Sequence, residues 1–283
     1  MHLLISEVIH NWDEETLRST LGSLSRSLDE AFRAGVLTSA TLWLSYNGPA
    51  SINEGAATQL LESVFNWPVN LRMSQPNLGY GGTNNLALAE MFEVSSAEAA
   101  QTAILVMNPD VLLEENTITE ALRHINADKR CGLVCPQILD WSGRATTLGH
   151  KRYPSLAVLA ARLLYLLFRL PPVRSLNARY EYQDVPLDQS MNDIELCSGC
   201  FMLGPFQYWQ QLEGFDTRYF MYFEDFDLAM RGRKKGWQNH YVPSVRIRHA
   251  GGGGGQKHWR HQLWLIRSAF RFFNRHGWRF WRV

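Results

Sequence analysis

The chain has 283 residues, 46% of them hydrophobic, and its 28 Lys and Arg nearly balance its 27 Asp and Glu. That length suits one large domain, or one domain with a short appendage. Near-neutral charge argues against a protein held to nucleic acid by bulk attraction, and no nucleic-acid partner is expected.

The first segment, LLISEVIHN from Leu3, reads as a strand, and no basic leader precedes it, so a cytoplasmic compartment is expected. DEETLRSTLGSLSRSL follows, with Leu17, Leu21, Leu24 and Leu28 at helical spacing. The alternation continues with SATLWLSYN as a strand, SINEGAATQLLESVF as a helix, VNLRMSQ as a strand and GTNNLALAEMFEV as a helix. TAILVMNPDV closes the series as a strand ending in a turn. Strands and helices alternating at this length predict right-handed crossovers and a mainly parallel, Rossmann-like α/β sheet with helices on both faces. Ligands gather at the carboxyl ends of such strands.

Polar residues recur at those ends: His10 and Asn11, Tyr46 and Asn47, Gln75 to Gly82, then Asn108 and Asp110. Any one of them serves as a turn or a cap. Their recurrence at one edge is what points to a site. In QPNLGYGGTNN, Asn77, Gly79, Gly82 and Asn85 surround a glycine-rich turn at a helix start, where backbone N–H groups can approach phosphate. In VMNPDV, Pro109 stiffens the turn and Asp110 follows it into the open edge. A carboxylate there can bind a divalent cation, Mg or Mn, that also bridges the phosphates of a nucleotide.

The four cysteines, Cys131, Cys135, Cys197 and Cys200, include a C-x-x-C pair. No histidine is spaced near either pair as a zinc site requires, so buried free thiols are expected. The apolar run SLAVLAARLLYLLFRL from Ser155 is interrupted by Arg162 and stopped by Pro171 and Pro172. It falls short of the ~20 residues that span a bilayer and reads as a buried or membrane-surface helix.

YFMYFEDFDLAMRGRKKGW, residues 219–237, sets Glu224, Asp225 and Asp227 behind an aromatic wall and ahead of a basic helical run. Carboxylates so placed must be solvated at one edge, paired with cations, or bound to something. Asp227 stands four positions before Arg231 and reads as its partner or as a helix cap. The glycines at 251–255 read equally as a flexible linker and as a lid. They separate a domain of residues 1–250 from an appendage, 251–283, in which Trp259, Leu263, Ile266, Phe270 and Phe273 share a helical face beside Arg260, Arg267, Arg271 and Arg275. Such a basic amphipathic helix lies on anionic lipid, or packs on the domain or on the partner in a homodimer.

Taken together, HNWDEETLRSTLGSL, NLGYGGTNN, MNPDV, SGCFMLGPFQYWQQLEGFDTRYFMYFEDFDLAMRGRKKGW and YVPSVRIRH resemble the family 2 glycosyltransferases of GT-A fold, most nearly the bacterial rhamnosyltransferase type, from Leu3 to about Gly251. The resemblance implies that Asp110 is a metal ligand, with Asn108 in place of the motif's first carboxylate, and that His249 completes the coordination. It makes Asp225 the catalytic base and Glu224 its neighbour on the acceptor side. Tyr46 departs from the pattern, since many relatives carry an aspartate there to contact ribose or base; Asn11 and Asn47 are the substitutes. The implied activity is inverting transfer of a sugar from a nucleoside diphosphate, with dTDP-rhamnose favoured, to a growing glycan or lipid-linked acceptor on the inner face of the cytoplasmic membrane. Galactofuranosyl or other hexosyl transfer, and a catalytically silent glycan- or nucleotide-binding protein, stand as alternatives.

Overall fold

The computed structural model of the chain describes residues 1–50, 52–94, 96–161, 178–249 and 259–280. Its elements are β1 (His2–Ile9), α1 (Glu14–Arg33), β2 (Ser39–Tyr46), α2 (Glu54–Val64), β3 (Val69–Arg72), α3 (Gly79–Val94), β4 (Thr102–Met107), β5 (Leu112–Leu113), α4 (Thr117–Ala127), β6 (Cys131–Leu139), β7 (Ala145–Thr146), β8 (His150–Lys151), β9 (Leu196–Cys197), β10 (Phe201–Pro205), α5 (Phe206–Leu212), α6 (Glu224–Lys234), β11 (Gln238–Arg248) and α7 (Trp259–His276). Most of the apolar run after Ser155, and the glycines at 251–255, lie outside the described residues. Among the described residues, no helix is long and apolar enough to cross a membrane.

The alternating pattern forms one nine-stranded sheet in the order β3-β2-β1-β4-β10-β6-β11-β5, with β7 added on β6. Leu17, Leu21, Leu24 and Leu28 of α1 are all buried against one face, together with Leu122 and Ile125 of α4. Each such side chain contributes about 1.5–3 kcal/mol by leaving water. The other face is covered by Leu88 and Met91 of α3, Trp209 of α5 and Leu228 of α6. The expected parallel sheet is realised by β1 to β4, and by β6 with β11. A reading by alternation misses β10, which runs antiparallel between β4 and β6. An apolar run signals a buried strand but carries no sign of its direction.

α7 is tied to the body by a buried charge. Asp227 on α6 accepts from Arg231 Nε at 2.7 Å and from His276 Nε2 at 2.8 Å, and Arg275 Nη1 lies 3.3 Å away. Burial alone would raise the Asp227 pKa, but the His276 and Arg231 hydrogen bonds and the arginine charges hold it below the usual carboxylate range. Asp227 is thus the partner of Arg231, as its spacing suggests. Phe272 and Phe273 are buried beside Tyr153, Tyr219 and Met230. The expected stripe on α7 therefore needs a correction. Phe273 belongs to the packed face, whereas Trp259, Leu263, Ile266 and Phe270 stay exposed.

Replacing Asp227 with Asn should cost about 3 kcal/mol or more in urea unfolding at pH 7, because Arg231 and Arg275 keep charges that have lost their buried partner. An acid with a depressed folded pKa stabilises above its unfolded pKa of ~3.9. The gap between wild type and Asp227→Asn should accordingly be full above about pH 4 and close as pH falls through the lower folded value. A gap that does not change with pH would show that ionisation of Asp227 contributes nothing.

Candidate active site

The carboxyl edge of the sheet is assembled around residues 198–200. β10 enters antiparallel beside β4, so that Cys200 O accepts from Asn108 N at 3.0 Å. The preceding Gly199 donates its N–H to Asp225 Oδ2 at 2.8 Å, and its carbonyl accepts from the Tyr80 hydroxyl at 2.6 Å. One short segment thereby joins the NPD turn, the start of α3 and the start of α6. A β-carbon on residue 199 would come within 3.2 Å of Asp225 Cβ, so glycine allows the close approach.

Glu224 and Asp225 open α6, and the backbone before them is strained. Tyr222 and Phe223 both adopt left-handed conformations, with φ of 70° and 66°. Two such non-glycine residues in succession cost of order 1–3 kcal/mol each and persist only where the surroundings impose them. Here Phe223 and Phe226 pack beside Phe272 and Phe273 of α7, and the Tyr222 hydroxyl meets His261 Nδ1 at 3.0 Å. The aromatic wall therefore turns the chain and aims the two acids at the edge.

Their electrostatics differ from those of Asp227. Burial pushes Asp225 up to about 6, against the pull of N–H groups from Phe226 and Gly199. Burial, reinforced by the charge of Asp225, pushes Glu224 up to about 8, and Glu224 Oε2 has no hydrogen-bond partner. At neutral pH the pair offers one ionised and one protonated carboxyl. That combination suits proton transfer.

Asp110 and His249 come together as expected. The half-exposed Asp110 Oδ1 lies 3.6 Å from His249 Nδ1, too far for a hydrogen bond, and that buried nitrogen has no other partner. An oxygen and a nitrogen that converge without bonding fit a shared divalent cation. Asp110 follows Asn108, whose N–H bonds Cys200 O, and Asp225 bonds Gly199 N–H, so the two acids flank the 199–200 segment.

The other expected residues are arranged differently. Asn47 is buried and links His10 Nδ1 at 3.2 Å to Thr83 Oγ1 at 3.1 Å, while Asn11 is exposed at the end of β1. Asn77 Oδ1 accepts from Gly79 N, and both ends of the Asn85 amide bond the backbone of Phe215. The glycines of this turn are expected from sequence to open the backbone to a ligand; protein fills the space instead. A β-carbon on Gly79 would lie 1.8 Å from the Phe220 carbonyl oxygen, and one on Gly82 would lie 2.8 Å from Leu78 Cβ. Asn77, Gly79, Gly82 and Asn85 thus serve to seat α3.

Two residues at this edge escape a reading by motif. Tyr80 is read as part of a turn, although its hydroxyl braces Gly199. Glu7 lies within β1, fully buried, with neither carboxylate oxygen partnered, and is pushed up to about 8 by burial and then by the charge of Asp110. An acid within an otherwise apolar strand was the available signal.

A GT-A sheet with acidic residues at its carboxyl edge is the architecture of nucleotide-sugar-dependent glycosyltransferases. The family model described as glycosyltransferase-like family 2 matches residues 62–264, and the chain belongs to that family. An N-acetylglucosaminyl-diphospho-decaprenol L-rhamnosyltransferase of Mycobacterium tuberculosis is 31% identical over 216 residues, covering 73% of this chain and 65% of that protein. The chain thus spans about two thirds of that relative's length. Rhamnosyltransferase WbbL of Escherichia coli K12 is 26% identical over 200 residues, 70% of each chain. Crystal structures of S. aureus TarS 1-349, alone and with UDP, superpose with TM-scores of 0.51 and 0.52 at 12% identity, covering 97% of this chain and 72% of that one. They share the fold.

Gly79→Ala should destabilise by more than the ~1–3 kcal/mol of left-handed strain, because its β-carbon also meets a backbone carbonyl. Gly143, at φ 81° with open space for 4 Å around the position a β-carbon would take, supplies the control. Gly143→Ala should cost only the strain, ~1–2 kcal/mol. Equal urea midpoints for the two variants would remove the packing explanation.

Proposed function

We propose that the chain is an inverting, metal-dependent sugar transferase that moves rhamnose from a nucleoside diphosphate, with dTDP-rhamnose the favoured donor, to a lipid-linked glycan. The observation that carries this reading is the tethering of Asp225 and of the turn that bears Asp110 to the same segment, Gly199 and Cys200, at the carboxyl edge of the sheet. The names of the mycobacterial and E. coli relatives support rhamnose, and the mycobacterial one supports a polyprenyl-diphosphate-linked acceptor.

In this mechanism Asp225 takes the proton from an acceptor hydroxyl as that oxygen attacks the anomeric carbon on the face opposite the leaving nucleoside diphosphate. The oxygen–carbon bond forms while the carbon–phosphate oxygen bond breaks, and the configuration inverts. Glu224 keeps its proton at neutral pH and so leaves Asp225 as the single charged acceptor of the pair. Asp110 and His249 would hold the divalent cation, with Asn108 beside them. When bound, that cation offsets negative charge growing on the departing diphosphate.

α7 supports a place on the inner face of the cytoplasmic membrane. Trp259, Leu263, Ile266 and Phe270 form an exposed apolar stripe, and Arg218, Arg267, Arg271 and Arg275 line a surface groove with Ile266 and Phe270. Apolar side chains inserted between anionic headgroups, with arginines beside them, constitute an interfacial helix.

Turnover of labelled donor tests the chemistry. Asp225→Asn should lower turnover ~10²–10⁴-fold at saturating substrates and leave donor affinity intact. Because Asp225 works ionised, the wild-type rate should rise with pH through about 6. Asp110→Ala should instead abolish the metal dependence of donor binding measured by calorimetry. Near-normal turnover by Asp225→Asn would show that another carboxylate is the base.

Cosedimentation with phosphatidylglycerol vesicles tests the membrane face. Deleting α7 would uncover α6, so point variants are the cleaner probe. Ile266→Ser with Phe270→Ser should abolish binding, and Arg267→Gln should weaken it about fivefold, the equivalent of ~1 kcal/mol per basic residue near the surface. Unchanged binding by both variants would assign that face to packing or dimerisation.

A further inference from the structure

At the opposite end of the sheet, three potential metal ligands from three segments converge. His124 lies in the last turn of α4, Cys131 is the first residue of β6, and His240 is the third residue of β11. Their ligand atoms all lie within 4.8 Å of one another. His124 Nε2 and His240 Nδ1 are 2.8 Å apart. No recognisable zinc spacing links these residues in sequence; the fold brings both histidines to Cys131.

The convergence depends on a bulge. Gln238 pairs with Cys131, but Asn239 pairs with Leu133, so Gly132 is passed over in the β6–β11 register. A bulge of this kind re-aims a side chain. Without it, Cys131 would share a face with Leu133 and Cys135. With it, Cys131 packs instead among Val134 and the α4 residues Leu122 and Ile125, the side on which His124 sits. Gly132 has no room for a side chain, since a β-carbon would lie 2.6 Å from the Tyr208 ring.

We propose that His124, Cys131 and His240 form a second metal site, which takes a zinc-type divalent cation and pins α4 to the amino ends of β6 and β11. Two imidazoles and a thiolate select zinc over magnesium or manganese, which prefer oxygen. The site is distinct from the Asp110 edge. From His240 to His249 an extended chain covers roughly 25–30 Å at ~3.3 Å per residue. Around a tetrahedral zinc with Zn–N of ~2.0–2.1 Å the two ring nitrogens would sit about 3.3 Å apart, a small outward movement of the imidazoles.

The surroundings already set the ligand tautomer of one ring. His240 Nε2 faces Gln238 Oε1 at 3.3 Å, so that nitrogen donates and Nδ1 keeps its lone pair. Burial lowers the pKa of both histidines, keeping them neutral and able to ligate. Burial also pushes the Cys131 thiol up to about 12, so it is protonated until a cation arrives. On binding, the S–metal bond forms as the thiol proton leaves to solvent, and His124 moves its Nε2 proton to Nδ1 through water. One proton is released in total. Asp128, whose charge acts on all three groups, or a water completes the four-coordinate shell.

Titration of the chelator-treated full chain with Co²⁺ tests this through sulfur. Thiolate ligation gives a near-ultraviolet charge-transfer band that the oxygen and nitrogen ligands at Asp110 and His249 cannot produce. The band should saturate at one equivalent in Asp110→Ala, appear in wild type with the same form, disappear on adding Zn²⁺ and be absent in Cys131→Ala. His124→Gln, at a half-buried helix position, guards against a folding defect in the cysteine variant. It should melt like metal-free wild type yet bind Zn²⁺ more than ~100-fold more weakly in calorimetry, beyond the ~10–100-fold cost of losing an outer-shell partner. No charge-transfer band in wild type, a band that survives Cys131→Ala, or unchanged Zn²⁺ affinity in His124→Gln would each overturn the site.

Discussion

Asp227 is the charge on which the catalytic end of the molecule depends. α6 must present Glu224 and Asp225 to the carboxyl edge of the sheet with little water around them, and carboxylates in that position oppose folding. Three residues further on from Glu224, Asp227 is deeper still, but Arg231, His276 and Arg275 surround it. The same helix thus carries one acid whose charge is fully compensated and two whose charge is not. The compensated acid fixes the helix and docks α7, and α7 in turn covers the aromatic side chains that hold Tyr222 and Phe223 in left-handed conformations. Strain and desolvation at the site rest on the ionic anchor behind it.

The antiparallel β10 has a matching role. In an all-parallel sheet every strand would leave the catalytic edge through a loop of its own. By entering against the grain between β4 and β6, β10 starts at that edge, and the residues just before it fall among the strand ends. Gly199 can then brace Asp225 with its N–H and accept from Tyr80 with its carbonyl, while Cys200 pairs with Asn108. Backbone groups hold the acids of two distant motifs in register. Backbone is less adjustable than side chains, so these bonds fix the spacing of the acids more firmly than side-chain contacts would.

Much of this was legible in the sequence where periodicity or charge left a signature. Leu17, Leu21, Leu24 and Leu28 announced α1, and the spacing of Asp227 to Arg231 announced their pair. Asp110 and His249, 139 positions apart, were brought together only by family resemblance, and the fold places them 3.6 Å apart. For the glycines of the α3 turn, a missing side chain looks the same in sequence whether it admits a phosphate or, as at Gly79, the Phe220 carbonyl. Glu7 was lost inside an apolar run. The strand direction of β10 and the bulge at Gly132 had no local signal, since both are properties of pairing. The His124, Cys131 and His240 cluster could not be read for that reason.

The two ends of the sheet are built differently. At the carboxyl end Glu224, Glu7 and His249 each keep a buried atom without a hydrogen-bond partner, which costs stability. At the amino end Asn239 Oδ1 is likewise unpartnered, but the surroundings are held by close packing. There α4 packs its apolar face over β6 and β11, and the imidazoles of His124 and His240 bond one another across the junction. β11 runs from that junction to Arg248, just before His249, and pairs with β6 on both sides of an irregularity between Val242 and Arg246. Pairing that resumes after the irregularity holds the strand end that carries the incompletely paired His249.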